Sequence, residues 1–290
     1  MTNKAEKNMQ DIKLQKPFHL IQEIRLAHAI TESRFNVEIP TSQQEKFSIF
    51  EETMGINFNQ PTAESVDVAH LMSINHKDPK TSFGDIERTL IFPLAITNHC
   101  KTLWKEKRKN KYSFQGLVTD KRKKLLEHWI SNNITKHIFS FDAPPSIKEK
   151  LTKIFFPVAV PKEGNIDVRK IGKLLLWSSD RGRNFPIKSW DNEYFKVLAN
   201  SKFVLCPSGD YVWSYRFFES ILCGAIPVIE EYCEAYNGFR FQYMSEKASN
   251  LKWSKEDAEY NFNLCVERLT IPQRDLDNEI LKQLEKIKLK

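Results

Sequence analysis

The sequence predicts an α/β protein made of two units. Three observations carry this. Apolar runs with strand character alternate with stretches of helical spacing, the pattern of parallel β–α–β units. The chain has 290 residues, enough for one large or two modest domains with a sizeable core. Breakers concentrate over residues 143–170, where Pro144, Pro145, Pro157, Pro161 and Gly164 fall, and such a cluster marks a domain boundary. The expected division is 1–155 and 156–290.

The elements follow in order. Residues 1–17 read as a frayed lead-in, and 18–60 show no clear periodicity. VDVAHLMSIN (66–75) reads as a strand, and HKDPKTSFGD after it as a loop with Pro79 and Gly84 as breakers. TLIFPLAI (89–96) is a second buried strand. YSFQGLV (112–118) is a third, and DKRKKLLEHWISNN after it places Leu125, Leu126, Trp129 and Ile130 at helical spacing. KHIFSFDAPP (136–145) reads as a fourth strand. A second series runs GKLLLWSS (172–179, strand), SWDNEYFKVLANS (189–201, helix), KFVLCPS (202–208, strand), YRFFESILCG (215–224, helix) and AIPVIE (225–230, strand). DLDNEILKQLEKIKLK closes the chain as an amphipathic helix.

Composition narrows the function classes. Hydrophobic residues at 41% and charged residues at 28% are ordinary for a globular protein. No run of about 18 apolar residues exists, so no spanning helix is expected. The polar start, MTNKAEKNMQDIKLQKP, lacks the apolar core of a signal peptide, which points to the cytosol. Five cysteines, an odd number with no C-x-x-C pair, predict reduced thiols with neither a disulfide framework nor a zinc site. The net charge is +7, and much of it lies in KTLWKEKRKNKYSFQGLVTDKRKK, residues 101–124. Such a stretch suits nucleic acid, an anionic surface, a phosphorylated ligand or a solvated helix face. It shows no zinc pattern, RNP-like strand or homeodomain signature, which weighs against a nucleic-acid-binding protein.

The chemistry concentrates in FVLCPSGDYVWSYRFFESILCGAIPVI, residues 203–229. A buried strand runs into a Pro-Ser-Gly turn, and a helix starts near Ser214. In open α/β sheets ligands bind outside the carboxyl ends of strands, where Ser208 and Gly209 fall. Gly209 allows close backbone approach and can take positive φ. Arg216 lies in the first helical turn, where a fixed cation opposes the helix dipole unless an anion compensates it. Guanidinium matches phosphate by bidentate bonding. Glu219, three residues on, either accepts from vicinal hydroxyls or forms an i,i+3 ion pair with Arg216 worth only about 0.3 kcal/mol. Gly224 reads as the left-handed end of that helix, and Pro227 as a strand start.

These residues carry a resemblance. The strand ending FVLCPSG, the arginine after it, Glu219 and GAIPVI make residues 172–231 similar to the nucleotide-binding half of the exostosin-like glycosyltransferases. YRFFESILCGAIPVI is the specific part. Upstream, RKNKYSFQGLVTDKR resembles the family's R…F-x-G…R strand and turn, and Asp210-Tyr211-Val212 is similar to a segment of some fucosyltransferases. The resemblance is to a compact, unanchored member of bacterial or large-virus type. It implies the GT-B fold: two Rossmann-like domains facing a cleft, an acceptor-binding first domain, a donor-binding second, and a C-terminal helix packing back on the first. It implies an inverting, metal-independent transfer from a nucleotide sugar, most often a UDP-sugar, to a hydroxyl of a glycan acceptor. UDP-xylose, UDP-galactose and UDP-glucuronate are all compatible.

On this resemblance Arg216 becomes a phosphate ligand and Glu219 a ribose ligand, with Ser208, Gly209 and Asp210 in the same donor site. Arg181 and Arg183 of SSDRGRNFP either reach the diphosphate or are solvated loop residues. No cofactor is implied. The one D-x-D, Asp275-Leu276-Asp277, suits the start of the final helix better than a metal. The alternative of an inactive sugar-binding relic has the intact Arg216–Glu219 pair against it. An inverting transfer needs a general base, which GT-B implies in the first domain. There HKDPKTSFGD offers His76, Asp78 and Asp85. Asp78 is the first candidate and Asp85 the second, each gaining pKa by partial burial; Asp142 is a weaker one. Trp104, Trp177, Trp190 and Trp213 fall near predicted loops or strand ends. Trp213, beside the donor loop, is the candidate acceptor-stacking residue, against the commoner fate of core packing.

Overall fold

The structure is a computed structural model that describes residues 11–147, 166–180 and 182–289. Residues 148–165, most of the breaker-rich stretch, and Arg181 lie outside the described residues. By contact the chain divides into two units: residues 1–97 with 185–190 and 268–290, and residues 98–184 with 191–267.

In the first unit β1 (Ile12–Lys13) leads to α1 (Ile21–Ile30), β2 (Val37–Glu38), α2 (Thr41–Gln44) and α3 (Ser48–Met54). Then come β3 (Val66–Asp67), β4 (Met72–Asn75), β5 (Lys80–Phe83), β6 (Ile86–Arg88) and the start of α4 (Leu94–Thr102), whose residues from 98 on count to the second unit. Strand β1 is the middle of a parallel β2-β1-β3 sheet, so residues 11–17 are not a frayed lead-in. Helix α1 escapes periodicity because Gln22, Arg25 and His28 are buried along with its apolar residues. VDVAHLMSIN is broken by a 3₁₀ turn at Ala69–Leu71. Four of the ten residues of the expected loop after it form β5, which pairs antiparallel with β4 and β6. TLIFPLAI is no strand. Leu90, Ile91 and Phe92 are buried in irregular chain. Pro93, which has no N–H for a ladder, stands before α4 and accepts from Thr97 N at 3.1 Å. The final helix, Gln273–Lys288, belongs to this unit; Asp275 is in its first turn, and Asp277 Oδ1 accepts from Arg34 N at 2.7 Å.

The second unit runs β7 (Asn110–Leu117), α5 (Asp120–Asn133), β8 (Ile166–Ile171), β9 (Leu174–Ser179), α6 (Asn192–Ala199) and β10 (Ser201–Cys206). It continues with α7 (Tyr215–Leu222), β11 (Ile226–Ile229), β12 (Gln242–Tyr243) and α8 (Lys255–Leu269). One sheet of order β12-β11-β10-β7-β9-β8 holds all six strands. Every pairing is parallel except β8 with β9. Its strands show why it forms: in β9, Leu174 and Leu176 join one buried cluster while Leu175 and Trp177 join another, so both faces are covered. The larger cluster takes Tyr112, Phe114, Phe203, Leu205, Ile226 and Val228 from the sheet, and Leu126, Trp129 and Ile130 from α5.

Strand β7 pairs with β9 in register Tyr112↔Leu174 and with β10 in register Phe203↔Tyr112. The segment 112–118 expected in the first domain is therefore the centre of the second unit's sheet, which moves the division away from residue 155. KHIFSFDAPP is irregular, not a strand. Arg169 replaces the ladder, donating to the carbonyls of Phe141 (2.9 Å) and Ala143 (3.0 Å). Among the described residues no helix is long and apolar enough to cross a membrane.

Candidate functional site

Strand β7 is the switch point of the sheet. The chain leaves it through α5, returns on one side as β9, and then crosses by α6 to the other side as β10. The crevice outside the carboxyl ends of β7 and β10 is where such sheets hold ligands, and Ser208, Gly209 and Arg216 of the residues singled out from the sequence fall there.

Helix α7 begins after Ser214 as expected, with Arg216 in its first turn, and Gly224 follows its end at φ 71°. Arg216 is 8% exposed. Its Nε donates to Gln115 O at the end of β7 (2.7 Å), and its guanidinium carbon lies 4.5 Å from the centre of the Phe114 ring. Its Nη1 is buried without a hydrogen-bond partner. An unmatched buried donor of this kind is costly. One turn on, Glu219 is buried and its Oε2 accepts from Tyr194 Oη at 2.6 Å. Burial first, and then the Glu219 charge, push the Tyr194 phenol far up, while Arg216 and Arg183 pull it down. These four groups therefore share one electrostatic neighbourhood. Arg183 is not a solvated loop residue: it bonds Asp191 Oδ2 at 3.1 Å and lies 4.4 Å over the Tyr194 ring.

The turn after β10 departs from expectation in detail. Ser208 N donates to Glu230 Oε2 (3.0 Å) and Gly209 N to Tyr211 O (2.9 Å), so both amides are engaged within the chain. The Ser208 hydroxyl is buried without a partner and is what this residue offers. Gly209 does not adopt positive φ; its lack of a side chain makes room for Arg122, whose Nη2 lies 2.2 Å from where a Cβ would stand. Asp210 is exposed. Burial pushes the Cys206 thiol up to about 12, which keeps it protonated at neutral pH. Trp213 is buried at 6% exposure, stacked beside Tyr211, which is exposed. Trp177 and Trp190 are core residues.

The basic segment 101–124 is not one solvated helix face. Lys101 lies 3.4 Å over the Trp104 ring, Arg108 is buried on the carbonyls of Ala199, Ser201 and Cys223, and Arg122 binds Ser208 O at 3.0 Å. Arg122, Gln115, Gly116, Tyr194 and Glu230 were not chosen from the sequence. The R…F-x-G…R pattern at Arg108, Phe114, Gly116 and Arg122 is the signal in the sequence for two of them, Gly116 and Arg122.

In the first unit Asp78 is exposed in the β4–β5 turn, its amide donating to Asn75 Oδ1 at 3.3 Å. Asp85 is exposed and bonded to Lys282, which holds its carboxyl below the usual range. The expected rise by burial does not occur at Asp85, because its partner is a lysine in solvent. The carboxyl that burial does raise, to about 7, is Glu32, whose Oε1 accepts from Ala95 N at 2.7 Å. Asp142, in the second unit, pairs with Lys123 at 2.5 Å.

A family model for the Exostosin GT47 domain matches residues 53–233, more than half of the chain. A probable glucuronosyltransferase of Oryza sativa subsp. japonica is 40% identical over 67 residues, which is 23% of this chain and 16% of the rice protein. The match thus spans well under two thirds of that relative.

Proposed function

The chain belongs to the Exostosin GT47 family, and from that premise we propose that it is a glycosyltransferase whose second unit binds a nucleotide-sugar donor outside β7 and β10. The observation that carries the reading is the buried, unpartnered Nη1 of Arg216 in the first turn of α7. A donor phosphate would supply the missing acceptor and complement the helix dipole. Glu219, oriented by Tyr194, would accept from the ribose hydroxyls.

The finer reading is a GT-B enzyme that uses a UDP-sugar, inverts the anomeric centre and needs no metal. An acceptor hydroxyl attacks the anomeric carbon, the bond to the diphosphate oxygen breaks, a carboxylate takes the hydroxyl proton, and UDP leaves with its charge held by guanidinium groups. Asp78 is the first residue to test as that base. The name of the rice relative makes UDP-glucuronate the first donor to try, beside UDP-xylose and UDP-galactose.

Calorimetry tests the donor site. Arg216→Ala and Glu219→Ala should each raise the Kd for UDP at least about tenfold, equal to about 1.4 kcal/mol. Unchanged affinity in both folded variants would place the donor elsewhere. Transfer that persists in EDTA supports the cation-based mechanism, and transfer abolished by EDTA removes it.

A further inference from the structure

Two arginines cross the switch point of the six-stranded sheet in opposite directions. Arg216, from the helix after β10, donates through Nε to Gln115 O in β7 at 2.7 Å. Arg122, from the helix after β7, donates through Nε to Ser208 O beyond β10 at 3.0 Å, and through Nη1 to Leu117 O at 3.1 Å. Each guanidinium lies against a glycine of the strand end it reaches. A Cβ on Gly116 would stand 2.1 Å from Arg216 Nη2, and one on Gly209 would stand 2.2 Å from Arg122 Nη2.

Among the described residues neither guanidinium forms an ion pair with a carboxylate. Glu230, near Arg122, is engaged by Ser208 N and Lys121. Burial first, and then repulsion from Arg216, bring the Arg122 guanidinium down to about 10. Two like charges held this close are disfavoured until a counter-charge joins them, and Arg216 Nη1 has no acceptor.

We propose that Arg122 is a second anion-binding residue of this site, forming with Arg216 a crossed guanidinium clasp that selects a diphosphate. The proposal rests on the donor-site reading above. A diphosphate offers charge and acceptor oxygens to both groups, relieves their repulsion and fills the open valence of Arg216. Because each arginine is anchored on the opposite strand end, the clasp also sets the spacing of β7 and β10 at the crevice.

The test is calorimetry with UDP, inorganic pyrophosphate and uridine on the full chain. The variants are Arg122→Ala, Arg122→Lys, Gly209→Ala and Arg216→Ala, with folding followed by circular dichroism. Arg122→Ala should weaken UDP and pyrophosphate at least tenfold and leave uridine unchanged. Gly209→Ala should follow it, because its methyl displaces Arg122 Nη2, and Arg122→Lys, which keeps the charge without the fork, should fall between. If Arg216→Ala weakens UDP while Arg122→Ala and Gly209→Ala do not, the clasp is overturned and the donor site stands. Lowered thermal stability with an unchanged ratio of UDP to uridine affinity would also overturn it, since Arg122 would then be purely structural. If Arg122→Ala does not fold, Arg122→Lys and Gly209→Ala carry the same decision. Pyrophosphate binding that depends on both arginines, with no gain for UDP, would support the clasp and remove the nucleotide-sugar reading.

Discussion

At Gly116 the backbone has φ 152°, a conformation costly for any residue with a Cβ, and the Arg216 guanidinium occupies the place a Cβ would take. Gly116→Ala should therefore act through its neighbour. We expect strain of about 1–3 kcal/mol and a loss of UDP affinity close to that of Arg216→Ala, read by urea unfolding and calorimetry. A stable variant with wild-type affinity would show that Arg216 is not held by this contact. Tyr194→Phe deletes the phenol that donates to the buried Glu219 carboxylate. It should cost about 1–3 kcal/mol and weaken UDP less than Glu219→Ala does, because the carboxylate remains but is poorly oriented. At this scale identity and three-residue spacing single out Arg216 and Glu219 but leave two chemistries, a donor contact or an i,i+3 ion pair, and only the resemblance favours the first. Tyr194 was not: nothing local links it to a carboxylate 25 positions away.

The elements show the same contrast. Strands β9, β10 and β11 and helices α6 and α7 fall where apolar runs and breakers predict them, and α7 ends at Gly224 for the expected reason. The cation at that helix end comes from elsewhere. Arg108 Nη1 donates to Cys223 O at 3.1 Å and Trp104 Nε1 to Leu222 O at 2.8 Å, closing the carbonyls at the end of α7 from a segment that reads as a solvated basic run. Arg108→Met should destabilise the fold by about 2–4 kcal/mol by leaving three carbonyls unpaired, with UDP affinity unchanged in the folded protein. Equal urea midpoints for variant and wild type would dismiss this role. TLIFPLAI and KHIFSFDAPP fail as strands for a related reason: an apolar run requires burial but not a ladder, and Pro93 and Arg169 provide other outcomes for their backbones.

For the whole molecule, pH dependence follows from two groups buried in the first unit. The Glu32 carboxyl is pushed from 4.5 up to about 7 by burial. Its folded state holds the proton more tightly, so the associated stability is present below about pH 4.5 and lost as pH rises through 7. His28 runs the other way. Its imidazole, fully buried with neither ring nitrogen bonded, is pushed from 6.5 down to about 3. Its contribution is present above pH 6.5 and lost as pH falls toward 3. Between pH 4.5 and 6.5 the two slopes offset each other. Glu32→Gln should therefore gain stability over wild type above pH 7, by at most about 3 kcal/mol, with the difference vanishing below pH 4.5. His28→Leu should flatten the acid limb. Urea midpoints from pH 4 to 8 measure both; parallel curves for variant and wild type would show that neither group is shifted. UDP at about a hundred times its Kd should add about 2.7 kcal/mol to unfolding of the second unit, with amide exchange slowed around residues 115–122 and 208–219.

By itself the sequence determined an α/β protein, the strand–turn–helix that carries Arg216 and Glu219, and its likeness to the exostosin-like family. Those are local properties, written in periodicity, breakers and a contiguous motif. The tertiary structure alone decided that residues 110–117 form the centre of the second unit's sheet, that Ser208 and Gly209 have their amides occupied, and that Arg122 and Arg216 exchange places across β7 and β10. Each depends on which strand lies beside which. Parallel neighbours are joined by long crossovers, so a strand's apolar pattern says that it is buried but not what it is buried against.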